Sequence, residues 1–227
     1  MPTYTTLTWD APADRKYEYG VSKGVLYPIQ SDGTYSVGVP WNGLTNVTDS
    51  PSGADNTKFY ADNIEYAALR SVEEYGCNIE AYTYPDEFAA CDGSASPLPG
   101  MELRQQTRKK FGLCWRTEIG NAVNDKLGYI IHVAYGLTVS PSEDGHDTVN
   151  DNPDISQLSW DAEGTPVNVT GYKPTCKLEF DSTKLSEARM TALEAILYGD
   201  GTTQNASLPL PDSLISSLSA ITTTTNP

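Results

Sequence analysis

Histidine, basic charge and long apolar runs are all scarce in this 227-residue chain, and each scarcity removes a class of protein. The most apolar run, Gly128 to Leu137, is broken by His132 and two tyrosines, well short of the roughly 18 apolar residues of a spanning helix. No membrane role is expected. The N-terminal twenty residues show no basic region followed by an apolar core, which predicts a chain that stays in the compartment where it is made. There is no G-x-S-x-G, no P-loop and no strand-linked G-x-G-x-x-G, so nucleophile-elbow and nucleotide chemistry have no foothold. No cofactor is expected.

Acid is plentiful. Thirty acidic residues against fifteen basic ones give a net charge of −15, which argues against a protein that grips nucleic acid by its phosphates. The same charge suits a wall along which a polyanion slides, although solubility alone also explains it. The four cysteines, Cys77, Cys91, Cys114 and Cys176, lack C-x-x-C spacing and read as structural thiols. Of the two histidines, His132 lies between Ile131 and Val133 in an alternating pattern, the setting of a structural side chain more than of a base or ligand. The loop from Ser142 to Asp154 carries His146, Glu143, Asp144, Asp147, Asp151 and Asp154, but Pro153 and the wrong order of acids fit a solvated loop better than a calcium site. No catalytic or metal-binding residue is assigned.

Period-two patterning dominates. Phe111, Leu113, Trp115 and Ile119 fall on one side of a predicted half-buried strand, with Arg116 and Glu118 on the other. The next strand places Tyr129, Ile131, Val133, Tyr135, Leu137 and Val139 on a single oily face. Pairs at Leu158/Trp160, Val167/Val169 and Leu178/Phe180 predict three shorter strands, and YEYGV, GVLYPIQ, YSVGV, TKFYADN and GCNIEAYTY add earlier ones. The expected fold is mainly β, a sandwich or barrel. One flanking helix is predicted after Asp181 and Ser182, with Leu185, Ala188, Ala192 and Ile196 as its stripe and Gly199 as its stop. PDEFAACDG predicts a connector of about two turns. Residues 1–14 and 200–227 read as terminal arms around a domain spanning 15–199, the latter arm with an amphipathic piece containing Leu214, Ile215 and Leu218.

The stretch from Gly38 to Asn63 is loop-coloured, and residues 40–56 are expected to form a long insert. YEYGVSKGVLYP with YSVGVPWNGLTNVTDSPSGADNTKFYADNIEY resembles the major tail proteins that build the tail tube of long, non-contractile phage tails in Gram-positive hosts. The likeness continues in order through IEAYTYPDEFAACDGSA, RKKFGLCWRTEIGN, GYIIHVAYGLTVSPSE, VTGYKPTCKLEFDS, LEAILYG and LPLPD. The resemblance implies a structural subunit, not an enzyme, that self-assembles into stacked hexameric rings around an acidic lumen for DNA ejection. It implies tape-measure, tail terminator and tail-tip proteins as partners, and a virion tail location after assembly in the bacterial cytoplasm.

It also implies that the insert reaches the neighbouring ring. Trp41 and Leu44 are then expected as apolar anchors, with Asn42, Asn46, Asp49 and Ser50 shaping the inter-subunit turns. A loop packed on its own chain is the bland alternative. At the level of the whole protein, the alternatives are a tail-tip or host-binding β-sandwich module and a carbohydrate-active enzyme, whose two carboxylates could come from distant strands.

Overall fold

The computed structural model describes residues 6–142, 145, 148 and 155–221, so the six named residues of the acidic loop lie outside the described part. The chain is mainly β. Strands β1 (Lys16–Pro28), β2 (Val39–Trp41), β3 (Leu44–Asp49), β8 (Gly76–Ala81), β11 (Phe111–Asn121), β12 (Gly128–Val139), β13 (Leu158–Gly164) and β14 (Lys177–Asp181) make one antiparallel sheet. Its order is β2-β1-β11-β12-β13-β8-β3, with β14 pairing the first half of β12. The paired runs YEYGV and GVLYPIQ are one long strand, not two. Val167 makes only an isolated bridge to Thr175, with the chain turning at Thr170 and Gly171 between them.

The two ends of this order are neighbours in sequence. β2 stops at Trp41 and β3 starts at Leu44, so only Asn42 and Gly43 separate the first strand of the sheet from the last. A link that short forces the sheet to curl until its edges meet. The closure is tight: a Cβ on Gly24 of β1 would stand 2.3 Å from Leu44 Cδ1 and 3.0 Å from the Trp41 carbonyl oxygen, so the crossing is close-packed at this glycine.

Inside the curl lies an aromatic core. Phe88 stands at its centre, with ring centroids 4.5 Å from Trp41, 5.1 Å from Trp160, 5.4 Å from Phe111 and 5.8 Å from Tyr84. The PDEFAACDG connector supplies Phe88 from a 3-10 turn (Asp86–Phe88) that runs into α1 (Ala89–Asp92) and stops at left-handed Gly93. Ile79, Leu113, Leu137 and Val139 complete the same core.

β12 departs from simple alternation. Gly136 has φ +62°, and the pairing with β11 slips between Phe111 and Leu113. This bulge reverses the phase of the strand. Tyr129, Ile131, Val133 and Tyr135 point outward to the helices, whereas Leu137 and Val139 turn into the curl, so the single oily face read from the sequence is split between two cores. β11 is likewise buried on both sides: Cys114 packs toward the helices while Trp115 packs inside.

Two helices, not one, cover the outer face. α2 (Glu187–Tyr198) buries Met190, Leu193 and Leu197, and α3 (Pro211–Ser219) buries Leu214 and Leu218. α2 begins later than Asp181 predicts, because Asp181 ends β14 and its carboxylate accepts the Thr183 N–H and hydroxyl. Of the predicted stripe, Leu185, Ala192 and Ile196 pack against the outer core beside the buried Met190, Leu193 and Leu197, while Ala188 is exposed. Residues 206–221 are no free arm: Leu208, Leu214 and Leu218 fill the outer core, while Ile215 faces solvent. Tyr27 donates to the Leu197 carbonyl at 2.5 Å and Tyr135 to the Pro209 carbonyl at 3.1 Å, which ties both helical segments to the sheet.

The four cysteines are free and buried, and burial pushes the thiols of Cys77, Cys91 and Cys114 up to about 12. Thiols so poorly ionised are inert.

Truncating the plug of the inner core tests this account. Trp41→Ala should lower unfolding free energy by about 3–5 kcal/mol in urea titrations. A loss below about 1 kcal/mol would mean that the closure does not depend on the ring.

Candidate functional site

The residues expected to grasp a neighbour are mostly engaged at home. Trp41 is 2% exposed, stacks in the aromatic core and donates its indole N–H to the Thr83 carbonyl at 2.9 Å. Leu44 packs against the same core. Both apolar anchors are thus corrected: they close the chain's own sheet. Asn42 sits exposed in the two-residue corner, and Asn46 donates to Thr48 Oγ1 at 3.0 Å. Asp49 accepts from Lys177 and from Tyr75 Oη, and Ser50 extends the β3–β8 ladder through its N–H to the Gly76 carbonyl at 2.8 Å.

Nor is the insert a loop. β3 and β8 pair, β4 (Ser52–Gly53) pairs β7 (Glu73–Glu74), and β5 (Asn56–Ala61) pairs β6 (Ile64–Arg70). These nested ladders make residues 44–81 a single β-ribbon, interrupted at Pro51 and at Ala54, that leaves the sheet beyond Ser50 and Gly76. Its tip is the Asp62–Asn63 turn, where both residues have positive φ (51° and 65°), the geometry of a two-residue type I′ hairpin. The outer ladder alone reaches about 20 Å at about 3.3 Å per residue.

One defect in the ladder organises its chemistry. Phe59 pairs Ala67 but Tyr60 pairs Glu65, so Tyr66 is an extra residue that changes the phase of β6. Thr57, Phe59, Ala61, Ile64, Ala67 and Leu69 consequently share one face. The opposite face carries Lys58, Tyr60 and Glu65, and the 2.7 Å Lys58–Glu65 ion pair spans it. The ribbon is amphipathic, yet its apolar side is left largely exposed among the described residues: Phe59 is 48% exposed, Ile64 65% and Leu69 61%. A two-stranded hairpin with no buried face is marginal in water. The signal was available in the sequence as ADN between two alternating runs, of which only TKFYADN reads as a strand without the returning IEYAALR.

At the root of the ribbon lies a polar network. The His132 ring stacks on Trp115 with centroids 5.1 Å apart and planes 9° from parallel. Its Nε2 is 3.1 Å from Glu18 and 2.9 Å from Thr117 Oγ1, and its Nδ1 is 3.3 Å from Glu179. Lys177 joins Glu179, at 2.7 Å, to Asp49 and lies over the Trp115 ring. Burial, helped by nearby Lys177, lowers the His132 pKa from 6.5 despite the two carboxylates. His132 is neutral at pH 7. Burial opposes the charge on Lys177, but its bonds to Asp49 and Glu179 prevail and raise its pKa, while the Lys177 bond holds Glu179 below 4.5. Among the described residues, no group of three or more His, Cys, Asp or Glu side chains is arranged to hold a metal ion.

Two measurements follow from this geometry. Because the folded pKa of His132 is depressed, the unfolded chain binds the proton more readily, so stability should fall as pH drops below 6.5. Glu179 should add a further loss below 4.5. His132→Gln should flatten the first slope in pH-dependent urea midpoints and leave the second; an unchanged profile would refute the assignment. In the ribbon, Phe59→Ser and Leu69→Ser should change the melting temperature of the isolated chain little, within the roughly 0.5 kcal/mol of exposed sites, and a large destabilisation would mean that the apolar face packs on its own body. Compared with known proteins, the chain matches no family model and no curated sequence.

Proposed function

We propose that the protein is a structural subunit that assembles with copies of itself into stacked rings forming a tube, the tail tube of a long-tailed phage. The observation that carries this reading is the ribbon: a preformed hairpin whose apolar face stays exposed among the described residues is marginal alone and gains stability when another molecule covers it. The family resemblance of the sequence supplies the kind of assembly, with hexameric rings as its expected form. An aromatic and aliphatic face on a rigid β-scaffold is well suited to anchor a repeated interface.

Charge supports the same reading. At −15 per chain, a six-membered ring would carry about −90 before counterions, and such a bore would let DNA pass without adhering. Association of such acidic copies requires apolar burial, which the ribbon offers. Tape-measure, terminator and tail-tip proteins would complete the assembly within the host cytoplasm and the finished virion tail. No described helix is long and apolar enough to cross a membrane.

Negative-stain electron microscopy of the purified chain, concentrated stepwise, tests the proposal. Rings or tubes are expected. A sample that remains monomeric in sedimentation at high concentration would sink it, and small fixed oligomers that bind host cells or glycans would favour a tail-tip module instead.

A further inference from the structure

The corner that closes the sheet is also the one place in the sequence where glycine follows asparagine. Elsewhere the next residue carries a side chain, and at Asn46, Asn63 and Asn78 it is Val47, Ile64 or Ile79, whose branched Cβ crowds the following backbone nitrogen. Asn42 has no such shield. Both Asn42 and Gly43 are exposed, and among the described residues neither the Asn42 side-chain amide nor the Gly43 N–H makes a hydrogen bond.

The Asp–Gly steps, whose carboxyl groups could close the same five-membered ring, are occupied. Asp32 accepts the Thr34 N–H and hydroxyl, and the Gly33 N–H donates to the Gln30 carbonyl at 3.0 Å. Asp200 accepts the N–H groups of Thr202, Thr203 and Gln204. Asp92, at the end of α1 and ahead of the hairpin of β9 (Ala95–Leu98) and β10 (Met101–Leu103), pairs with Arg104 at 3.3 Å. Asp144 lies outside the described residues. A carboxylate is moreover ionised at neutral pH and a poor electrophile, whereas the Asn42 amide carbon is uncharged.

We infer that Asn42 is a modification site, at which attack by the Gly43 nitrogen and then by water converts the corner to a mixture of aspartate and isoaspartate. The Gly43 N–H gives its proton to a base in solution, and the nitrogen bonds to Asn42 Cγ. The Cγ–Nδ2 bond breaks, and Nδ2 takes up a proton and leaves as ammonia. Water then opens the cyclic imide. Attack at Cγ restores the original main chain with an aspartate, while attack at the Asn42 main-chain carbonyl carbon routes the chain through Cβ and Cγ. No oxidation is involved: one water enters and one ammonia departs. This chemistry is independent of what the protein assembles with.

The consequence lies in where the extra atom falls. Isoaspartate adds a methylene to the main chain between Trp41, 2% exposed and bonded to the Thr83 carbonyl, and Leu44, packed on the same core. The corner has little slack. The Gly43 carbonyl accepts the Tyr82 N–H at 2.9 Å, and a Cβ on Gly43 would meet Thr83 Cγ2 at 2.9 Å. A lengthened link pulls on both, so the isoaspartate form should loosen the closure. The aspartate form adds only one exposed negative charge to a chain at −15.

Peptide mapping by mass spectrometry of the full folded chain, held at mildly alkaline pH and physiological temperature, tests the site. Position 42 should lose its amide faster than every other asparagine, with isoaspartate in excess over aspartate, and the rate should rise with pH because the attacking nitrogen must be deprotonated. Asn42→Gln, which needs a larger ring, should keep its amide and its melting temperature throughout. Separated by ion exchange and peptide mapping, the isoaspartate form should melt roughly 4 °C or more below the unaltered chain, whereas Asn42→Asp should melt with it. An intact amide at position 42 in the folded chain, or faster conversion of another asparagine, would overturn the site. An isoaspartate form that melts with the unaltered chain would overturn its effect on the closure.

Discussion

The corner at Trp41 is the constraint on which the rest of the structure depends. Two residues connect opposite edges of a sheet, and this is feasible only if the sheet wraps around something large enough to fill it. Trp41, Phe88, Trp160 and Phe111 are that filling, and the indole N–H finds the Thr83 carbonyl, so no polar group is stranded. Closing the sheet fixes the line along which β3 departs and β8 returns. The direction of the ribbon is therefore inherited from the inner core, and a defect in that core would misaim the ribbon without touching it.

Much of the fold was legible in the sequence. Alternation located β11, β12, β13 and β14, and the acids and Pro85 around PDEFAACDG marked the short helical connector that delivers Phe88. What alternation could not show is how a strand behaves once both of its faces are buried. Gly136 looks like any small residue in YIIHVAYGLTV, yet its left-handed backbone moves Leu137 and Val139 to the other side. Tyr66 does the same for the ribbon. Phase changes of this kind arise from pairing with another strand, and a single strand carries no record of its partner.

The candidate site was legible in part and for an instructive reason. A tryptophan and a leucine in a polar stretch have the same composition whether they anchor a neighbour or plug their own core. Burial decides between these, and it belongs to Phe88 and Trp160, more than forty residues away in sequence. The exposed hydrophobics Phe59, Ile64 and Leu69 lay in a segment whose alternation was plain, but the two-residue turn between its halves went unused. The network around His132 was equally invisible, since Glu18, Asp49, Lys177 and Glu179 converge there from three other strands. Only the expectation of a structural histidine could be drawn from Ile131 and Val133.

The Asp62–Asn63 turn and the ladder behind it have a thermodynamic corollary. A segment that had to order itself on contact would sacrifice conformational entropy in every residue it fixed, and that loss would subtract from the affinity of each joint. Here the backbone bonds of the hairpin are already made before any encounter, so what remains to be immobilised is a handful of aromatic and aliphatic side chains. Rigid connectors of this kind favour rapid, repetitive addition over slow induced folding.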